Sequence, residues 1–140
     1  MMVTAAIAQL LDAPSPPFPR YTTGVSIDTF RAGQLVTVSR EAKTKPDFKL
    51  LQNIDEIWAF SIRKPKDFQA RLLGRFVQKD IFVATEIYLR SALGHPTQYH
   101  TAAVKVADGW DTITGGIKPL RSASTKDYLG HQVRDMDQND

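Results

Sequence analysis

The sequence predicts one α+β domain in which a mainly antiparallel sheet is flanked by helices. Three runs of alternating apolar and polar residues follow one another between residues 55 and 90, and this period of two is typical of strands. A segment with helical spacing begins at residue 96, and strands followed by a helix are the order of an α+β fold. The 140 residues, 42% of them hydrophobic, suffice for one core and are too few for two.

The N-terminal segment is predicted to be a short helix followed by a stiff connector. Within residues 3–12, Ile7, Leu10 and Leu11 lie on one helical face. Four prolines in residues 13–19 favour an extended polyproline connector, which we prefer to a ligand for a proline-binding partner. The start lacks the basic residues of a signal peptide and no stretch is long enough to span a membrane, so we expect a cytoplasmic protein.

The next strands are predicted from β-branched and apolar residues. Residues 24–27 favour a short strand, and the β-branched residues within 34–39 favour a second one. In the first alternating run Trp58, Phe60 and Ile62 point to one side. These three side chains are therefore predicted to enter the core.

Residues 69–77 and 81–89 are predicted to form a hairpin with a two-residue turn at Lys79 and Asp80, so that Gln78 lies opposite Ile81. The apolar pairs are then Leu72 with Ile87, Gly74 with Thr85 and Phe76 with Val83, and the pairs on the other face are Arg71 with Tyr88, Leu73 with Glu86 and Arg75 with Ala84. A slip of one residue would mix the two faces, so the hydrophobic pattern favours this register.

A helix is predicted over residues 96–108, with Pro96 at its first position and Gly109 as its terminator. Trp110 is predicted to pack back on the core. The remaining segments are predicted to be a short helical turn within residues 122–130 and a disordered tail at residues 131–140, so that the domain spans residues 1–130.

The basic residues concentrate in the centre of a chain whose net charge is only +3. They are Arg63, Lys64, Lys66, Arg71, Arg75, Lys79 and Arg90. By alternation Arg63, Arg71 and Arg75 share a sheet face with Glu86, Tyr88 and Arg90. This face either binds phosphates bidentately or is a solvated polar face with pairs across strands, and the pattern alone favours the second interpretation.

No strong catalytic motif accompanies these residues. A phosphate-binding glycine loop, a nucleophile elbow and a zinc-protease pair are all missing. The absence of cysteine excludes disulfides, thiolate ligands and a cysteine nucleophile, and no metal site is expected. His95 stands where a helix begins, which is consistent with a neutral imidazole as a general base, but we favour a capping or turn residue at this position.

The central segment, residues 49–110, has an order of elements that resembles the RelE/HigB group of bacterial toxins. The pieces that carry the resemblance are the strand in residues 56–63 that ends in Arg63, the hairpin arms in residues 69–76 and 80–88, and the helix in residues 97–108. In that group a strand ending in a basic residue precedes a hairpin that carries an arginine, and a third strand and a C-terminal helix follow.

The resemblance implies a RelE-like fold and metal-independent mRNA cleavage, on or off the ribosome, with no cofactor, in which the 2′-hydroxyl attacks the adjacent phosphate. It implies Arg63, Arg71 and Arg75 as phosphate-stabilising residues, Tyr88, Arg90 and His95 as residues for proton transfer or positioning, and Lys64, Lys66 and Lys79 as further nucleic-acid contacts. An antitoxin protein would be the partner. The alternatives are a non-catalytic module that binds nucleic acid or a protein such as a topoisomerase, and an accessory protein, such as one encoded by a phage, that uses the sheet for assembly.

Overall fold

The computed structural model describes residues 2–3, 36–39, 46–51, 56–63, 69–130 and 133–135, and the strands within them form one mixed sheet. These strands are β1 (Met2–Val3), β2 (Val36–Ser39), β3 (Phe48–Leu50), β4 (Trp58–Ile62), β5 (Ala70–Gln78), β6 (Ile81–Leu89) and β7 (Val133–Asp135). Their order across the sheet is β1-β6-β5-β4-β3-β2-β7. The predicted α+β class is confirmed.

The centre of the sheet is antiparallel and its margins are parallel. β3 to β6 pair antiparallel with one another, and three of these four strands, β4, β5 and β6, were predicted from the alternating runs. β1 pairs parallel with β6, and β2 pairs parallel with both β3 and β7. The parallel pairs bring together segments far apart in the chain, which a local pattern does not reveal.

The sheet separates two apolar clusters. One face carries interlocking aromatic rings, among them Trp58, Phe60 and Phe76, and the side chains predicted to enter the core do so. On the other face Leu73 and Ala59 pack against Val106 and Trp110 of the helix α1 (Pro96–Thr114). The predicted return of Trp110 to the core is therefore confirmed.

The helix α1 is longer than predicted. His95 caps its N-terminus, and Gly115, in the left-handed region at φ 73°, ends it. Gly109 was predicted as the terminator but lies inside the helix, where glycine costs about 1 kcal/mol relative to alanine. Burial of Trp110, 2% exposed, outweighs that cost because a large buried aromatic side chain contributes more.

The hairpin of β5 and β6 keeps four of its seven predicted pairs. Gln78 lies opposite Ile81, and the pairs of Arg71, Leu72 and Leu73 with Tyr88, Ile87 and Glu86 are confirmed. The other three predicted pairs are wrong by one residue, since the observed pairs are Gly74 with Ala84, Arg75 with Val83 and Phe76 with Phe82. Thr85 and Val77 are the extra residues of two bulges, one in each strand, so the two slips cancel at the turn.

The bulges change which side chains of β6 enter the aromatic cluster. Phe82 and Ala84 join it together with Ile87, whereas strict alternation placed Val83 and Thr85 there. Val83 instead packs on the side of α1. A bulge reverses the face of every residue on one side of it. The predicted alternation therefore holds in the C-terminal part of β6, as far back as Glu86, and fails for the residues that precede Thr85.

The C-terminal segment completes the face opposite α1. A short 3₁₀ helix, Thr125–Asp127, confirms the predicted helical turn, and Tyr128 and Leu129 enter the aromatic cluster. Residues 133–135 form β7, although the composition predicted a disordered tail from residue 131. Main-chain pairing with β2 orders them, and such pairing does not require apolar side chains.

Several predicted features lie outside the described residues. They are the N-terminal helix beyond Val3, the connector at residues 13–19, the strand at residues 24–27, the first two residues of the strand at 34–39, and the tail beyond residue 135. Val3 itself belongs to β1, not to a helix. No helix in the described ranges has the length and apolar character needed to cross a membrane.

Candidate functional site: a basic cluster and the adjoining pocket

Three cations gather beside the first turn of α1 on the sheet face that the helix covers. Arg71 of β5 lies opposite Tyr88 of β6 and Ser61 of β4. Its guanidinium donates to the carbonyl oxygen of Ala70 at 2.9 Å and to the hydroxyl of Tyr99. The Lys49 ammonium of β3 lies over the ring of that tyrosine, 5.5 Å from its centroid. We call Lys49, Arg71 and Arg90 the basic cluster.

Burial and mutual repulsion disfavour the charged forms of two members of the basic cluster, Arg71 and Lys49. Burial lowers the pKa of Arg71 below its usual value, an effect opposed by Tyr99 and added to by the charges of Arg63 and Arg90. Burial and the charge of Arg71 also lower the pKa of Lys49. Within the described ranges no carboxylate forms an ion pair with any of the three cations. An anion in this position would offset both the lost hydration and the repulsion.

Arg63 stands next to the basic cluster but is already neutralised. Its guanidinium forms an ion pair with the Asp47 carboxylate at 2.5 Å and also donates to the carbonyl oxygen of Pro46. The same carboxylate accepts from the backbone N–H of Thr37 at 2.8 Å. Arg63 therefore ties β4 to the segment before β3, and its predicted role in phosphate binding stays a prediction.

Arg75 has the predicted face but not the predicted exposure. It is 6% exposed, and its guanidinium lies 5.2 Å from the centroid of the Trp110 ring. Alternation assigned Arg75 to the same face as Arg71, but it could not predict that α1 would cover that face. The solvated polar face that the pattern favoured is thus an interface between helix and sheet at this position.

Tyr88 and its neighbours form a proton-bearing group beside the basic cluster. The Tyr88 hydroxyl donates to the Glu86 carboxylate, and burial together with that charge and hydrogen bond raises the pKa of Tyr88. The ammonium of Lys105 on α1 lies 3.9 Å from the same carboxylate. Tyr88 is therefore protonated at neutral pH and sits across the strand from Arg71.

An open pocket of about 330 Å³ lies on the other side of Tyr88. Its walls come from β6, the 3₁₀ turn after it and the first half of α1, and they are Tyr88, Ala92, Leu93, Thr97, Gln98, Thr101, Ala102 and Lys105. Most of the lining surface is apolar, and five of the eight residues also carry a polar group that could orient a ligand.

The other predicted site residues are dispersed, apart from Arg90, which belongs to the basic cluster. His95 caps α1, its Nδ1 accepting from the backbone N–H of Thr97 at 3.2 Å, so the capping interpretation is confirmed. Arg90 is exposed at the start of the 3₁₀ turn. Lys79 lies in the hairpin turn, about 26 Å along β5 from Arg71 at about 3.3 Å per residue. Lys64 and Lys66 lie outside the described residues.

Sequence reasoning missed Lys49, Tyr99, Gln98 and Lys105 as site residues. A signal for Lys49 was available, because it alternates with the apolar Phe48 and Leu50 and so faces the same side as Arg71. The three helical residues carry no such signal. Their place depends on how α1 lies across the sheet.

Comparisons with family models, with curated proteins and with solved structures found no match to this chain.

Proposed function

We propose that this protein binds single-stranded RNA through the basic cluster. The observation that carries the proposal is Arg71, a partly buried guanidinium whose charge meets no carboxylate in the described part of the chain. A phosphate would supply the missing negative charge and can accept two parallel hydrogen bonds from one guanidinium.

The neighbours of Arg71 suit a chain of phosphates better than a single anion. Lys49 approaches from β3 and the exposed Arg90 from the end of β6, so the cations form a row across several strands. A row of cations follows a nucleic-acid backbone and makes the affinity depend on salt. The order of elements shared with the RelE/HigB group supports RNA over DNA as the ligand.

The test is fluorescence polarisation with a labelled single-stranded RNA heptamer at several salt concentrations. We expect Arg71→Ala to weaken binding by about tenfold, since a charge-assisted hydrogen bond contributes about 1.5–3 kcal/mol. The salt slope should fall by about 1. Arg90→Ala, which removes an exposed charge, should reduce the slope with a smaller loss of affinity.

Lys118→Ala is the matched control. Lys118 is exposed and follows the C-terminal end of α1, about 28 Å along the helix axis from its start at about 1.5 Å per residue. Lys118→Ala removes the same charge from the molecule as Arg71→Ala does. Equal losses for Arg71→Ala and Lys118→Ala would mean that only net charge matters, and would contradict the proposal.

RNA cleavage is the second candidate function, and the pair formed by Tyr88 and Glu86 favours it. In this reaction the 2′-oxygen bonds to the phosphorus, its proton passes to the Glu86 carboxylate, and the bond to the 5′-oxygen breaks. The proton of Tyr88 goes to that leaving oxygen, while Arg71 stabilises the charge on the phosphorus. An antitoxin that covers the basic cluster would be the natural partner of such an enzyme.

Cleavage is tested by inducing the protein in a bacterial host while following growth and the integrity of total RNA. We expect growth arrest and broken mRNA with the parent protein, and neither with Tyr88→Phe or Arg71→Ala. Arg75→Ala is unsuited to this test because Arg75 is buried. Normal growth and intact RNA with the parent protein would reject the cleavage candidate and leave RNA binding to its own test.

A further inference from the structure

The pocket and the basic cluster share a wall. Tyr88 lines the pocket and lies directly opposite Arg71 across the hairpin, and opposed side chains have Cβ atoms about 5 Å apart. Tyr99, which contacts Lys49 and Arg71 of the basic cluster, likewise adjoins Gln98 of the pocket in sequence. A ligand with its phosphate on Arg71 would thus extend the attached group over Tyr88 into the pocket.

The size of the pocket limits what that group can be. A volume of about 330 Å³ is at the lower end of the range for small-molecule sites, about 300–1,000 Å³. Ala92, Leu93 and Ala102 bring apolar side chains to the lining, and apolar side chains suit the faces of a planar ring. One nucleobase meets both conditions, and it is the planar group that RNA carries beside each phosphate.

The hydrogen bonds within the pocket decide which base fits. Gln98 uses its Oε1 to accept from the backbone N–H of His95 at 2.9 Å, so its amide nitrogen is the group it offers to a ligand. The hydroxyl of Thr101 already donates to the carbonyl oxygen of Thr97 at 3.0 Å. Lys105 also lines the pocket; its ammonium lies 3.9 Å from the Glu86 carboxylate and carries three N–H donors, so it can donate to a ligand as well. The nitrogen groups that the pocket offers are therefore donors.

We infer that the pocket binds an oxo base, guanine or uracil, of the RNA whose phosphate lies on the basic cluster; the inference rests on the proposed function. The donors of Gln98 and Lys105 face O6 and N7 of guanine or O4 of uracil. Adenine and cytosine would direct an amino group at those same donors. The protein therefore reads the base next to the bound phosphate.

The test uses four labelled RNA heptamers of adenosine in which only the central nucleotide changes, to A, G, U or C. The parent protein should bind the G or the U heptamer at least about fivefold more tightly than the A and C heptamers, the lower end of base discrimination by a matched pair of hydrogen bonds.

Gln98→Glu is the variant that tests the base preference most directly. The new carboxylate keeps the acceptor that bonds to the backbone of His95, and glutamate suits this position of a capping box, so the helix is retained. It replaces the donor by an acceptor, which should reverse the preference toward C or A because a carboxylate accepts from their amino groups. The ratio of affinities is the readout, since the added negative charge weakens all four heptamers alike.

Thr101→Trp fills the pocket without touching the hydrogen bond of Gln98, and should make the four affinities equal to within about twofold. Its control is Thr112→Trp, at another exposed position of α1 about 16 Å further along the axis at about 1.5 Å per residue, which should keep the preference. Circular dichroism verifies that each variant retains its helix.

The outcomes separate the two proposals. If the parent protein binds all four heptamers equally and Arg71→Ala weakens them all, RNA binding stands and the base pocket is wrong. If Gln98→Glu leaves the preference for G or U unchanged, the pocket is equally wrong. If the parent protein binds none of the heptamers, the proposed function fails and the pocket inference fails with it.

Discussion

At the scale of single residues, Gly74 lies where the central hairpin changes register. A Cβ atom built on it would lie 1.9 Å from the carbonyl oxygen of Val83 and 2.8 Å from the Cα of Ala84. Both neighbours are backbone atoms of the paired strand, so no side-chain rotation relieves the contact. The bulge at Thr85 brings the two backbones together, and glycine is the residue that permits it.

We therefore expect Gly74→Ala to lower the free energy of unfolding by about 3 kcal/mol, measured by urea denaturation. Gly94→Ala is the control, since its nearest neighbour to a new Cβ is 3.7 Å away, and it should change stability by less than about 0.5 kcal/mol. A mild effect at Gly74 would mean that the bulge is not formed as described.

The two arginines of β5, Arg75 buried and Arg71 partly buried, differ in what they contribute. Arg75 packs its guanidinium on Trp110, whereas Arg71 keeps a desolvated charge among other cations. A residue that serves a ligand often costs stability, and a residue that serves packing does not.

Arg71→Met should accordingly leave the urea midpoint unchanged or higher while it weakens RNA binding, because the lowered pKa of Arg71 means that folding disfavours its charge. The sign holds at every pH at which the arginine is charged in the folded state. Arg75→Met should lower the free energy of unfolding by about 2 kcal/mol, the contribution of a desolvated cation–π contact. The reverse order of the two effects would reject Arg71 as a binding residue.

At the scale of elements, α1 depends on its N-terminal cap. His95 accepts from the backbone N–H of Thr97, and Gln98 accepts in return from the backbone N–H of His95. This reciprocal pair fixes the first turn, and that turn carries Gln98 of the pocket and Tyr99, which contacts the basic cluster. The cap therefore positions the site although the imidazole itself lies outside it.

His95→Ala should cost about 1 kcal/mol of stability, and His95→Asn should recover most of it because asparagine is a good cap. If His95 is only a cap, His95→Asn will also bind and process RNA like the parent protein. Loss of cleavage in a stable His95→Asn variant would restore the general-base role predicted from the sequence. Thermal unfolding and the RNA assays measure the two properties separately.

At the scale of the whole molecule, the aromatic face of the sheet is completed by a segment distant in sequence. Tyr128 is fully buried, with its ring centroid 5.1 Å from that of Trp58. Its hydroxyl donates to Glu56 at 2.6 Å and accepts from the backbone N–H of Ser122 at 2.8 Å. One residue thus ties the C-terminal segment to the loop before β4.

Tyr128→Phe should lower the free energy of unfolding by about 2 kcal/mol, because it leaves partly buried polar groups without their partner. Tyr128→Ala should cost about 4 kcal/mol, since it also empties the space of the ring. An unchanged stability of Tyr128→Phe would mean that the hydroxyl contributes nothing, contrary to the hydrogen bonds described, and equal losses for the two variants would mean that the ring contributes nothing beyond the hydroxyl.

The predictions that held rest on local patterns. Trp58, Phe60 and Ile62 alternate without interruption, so their common face followed from the period of two. The predictions that failed concern features that the neighbouring residues in the sequence do not indicate. The bulge at Thr85 and the continuation of α1 through Gly109 both depend on contacts with distant residues, and a window of neighbouring residues does not contain them.

The sequence by itself determined the class of fold, the central strands, the start of the helix and the concentration of basic residues in the hairpin. Spacing and turn chemistry suffice for these because the forces that set them act between neighbours. Only the tertiary structure decided which cations form a site. Docking of α1 buries Arg75 under Trp110, whereas Arg71 and Lys49 lie against Tyr99 and the charge of Arg90 acts on Arg71. Burial and charge repulsion depend on what covers a face and not on its alternation.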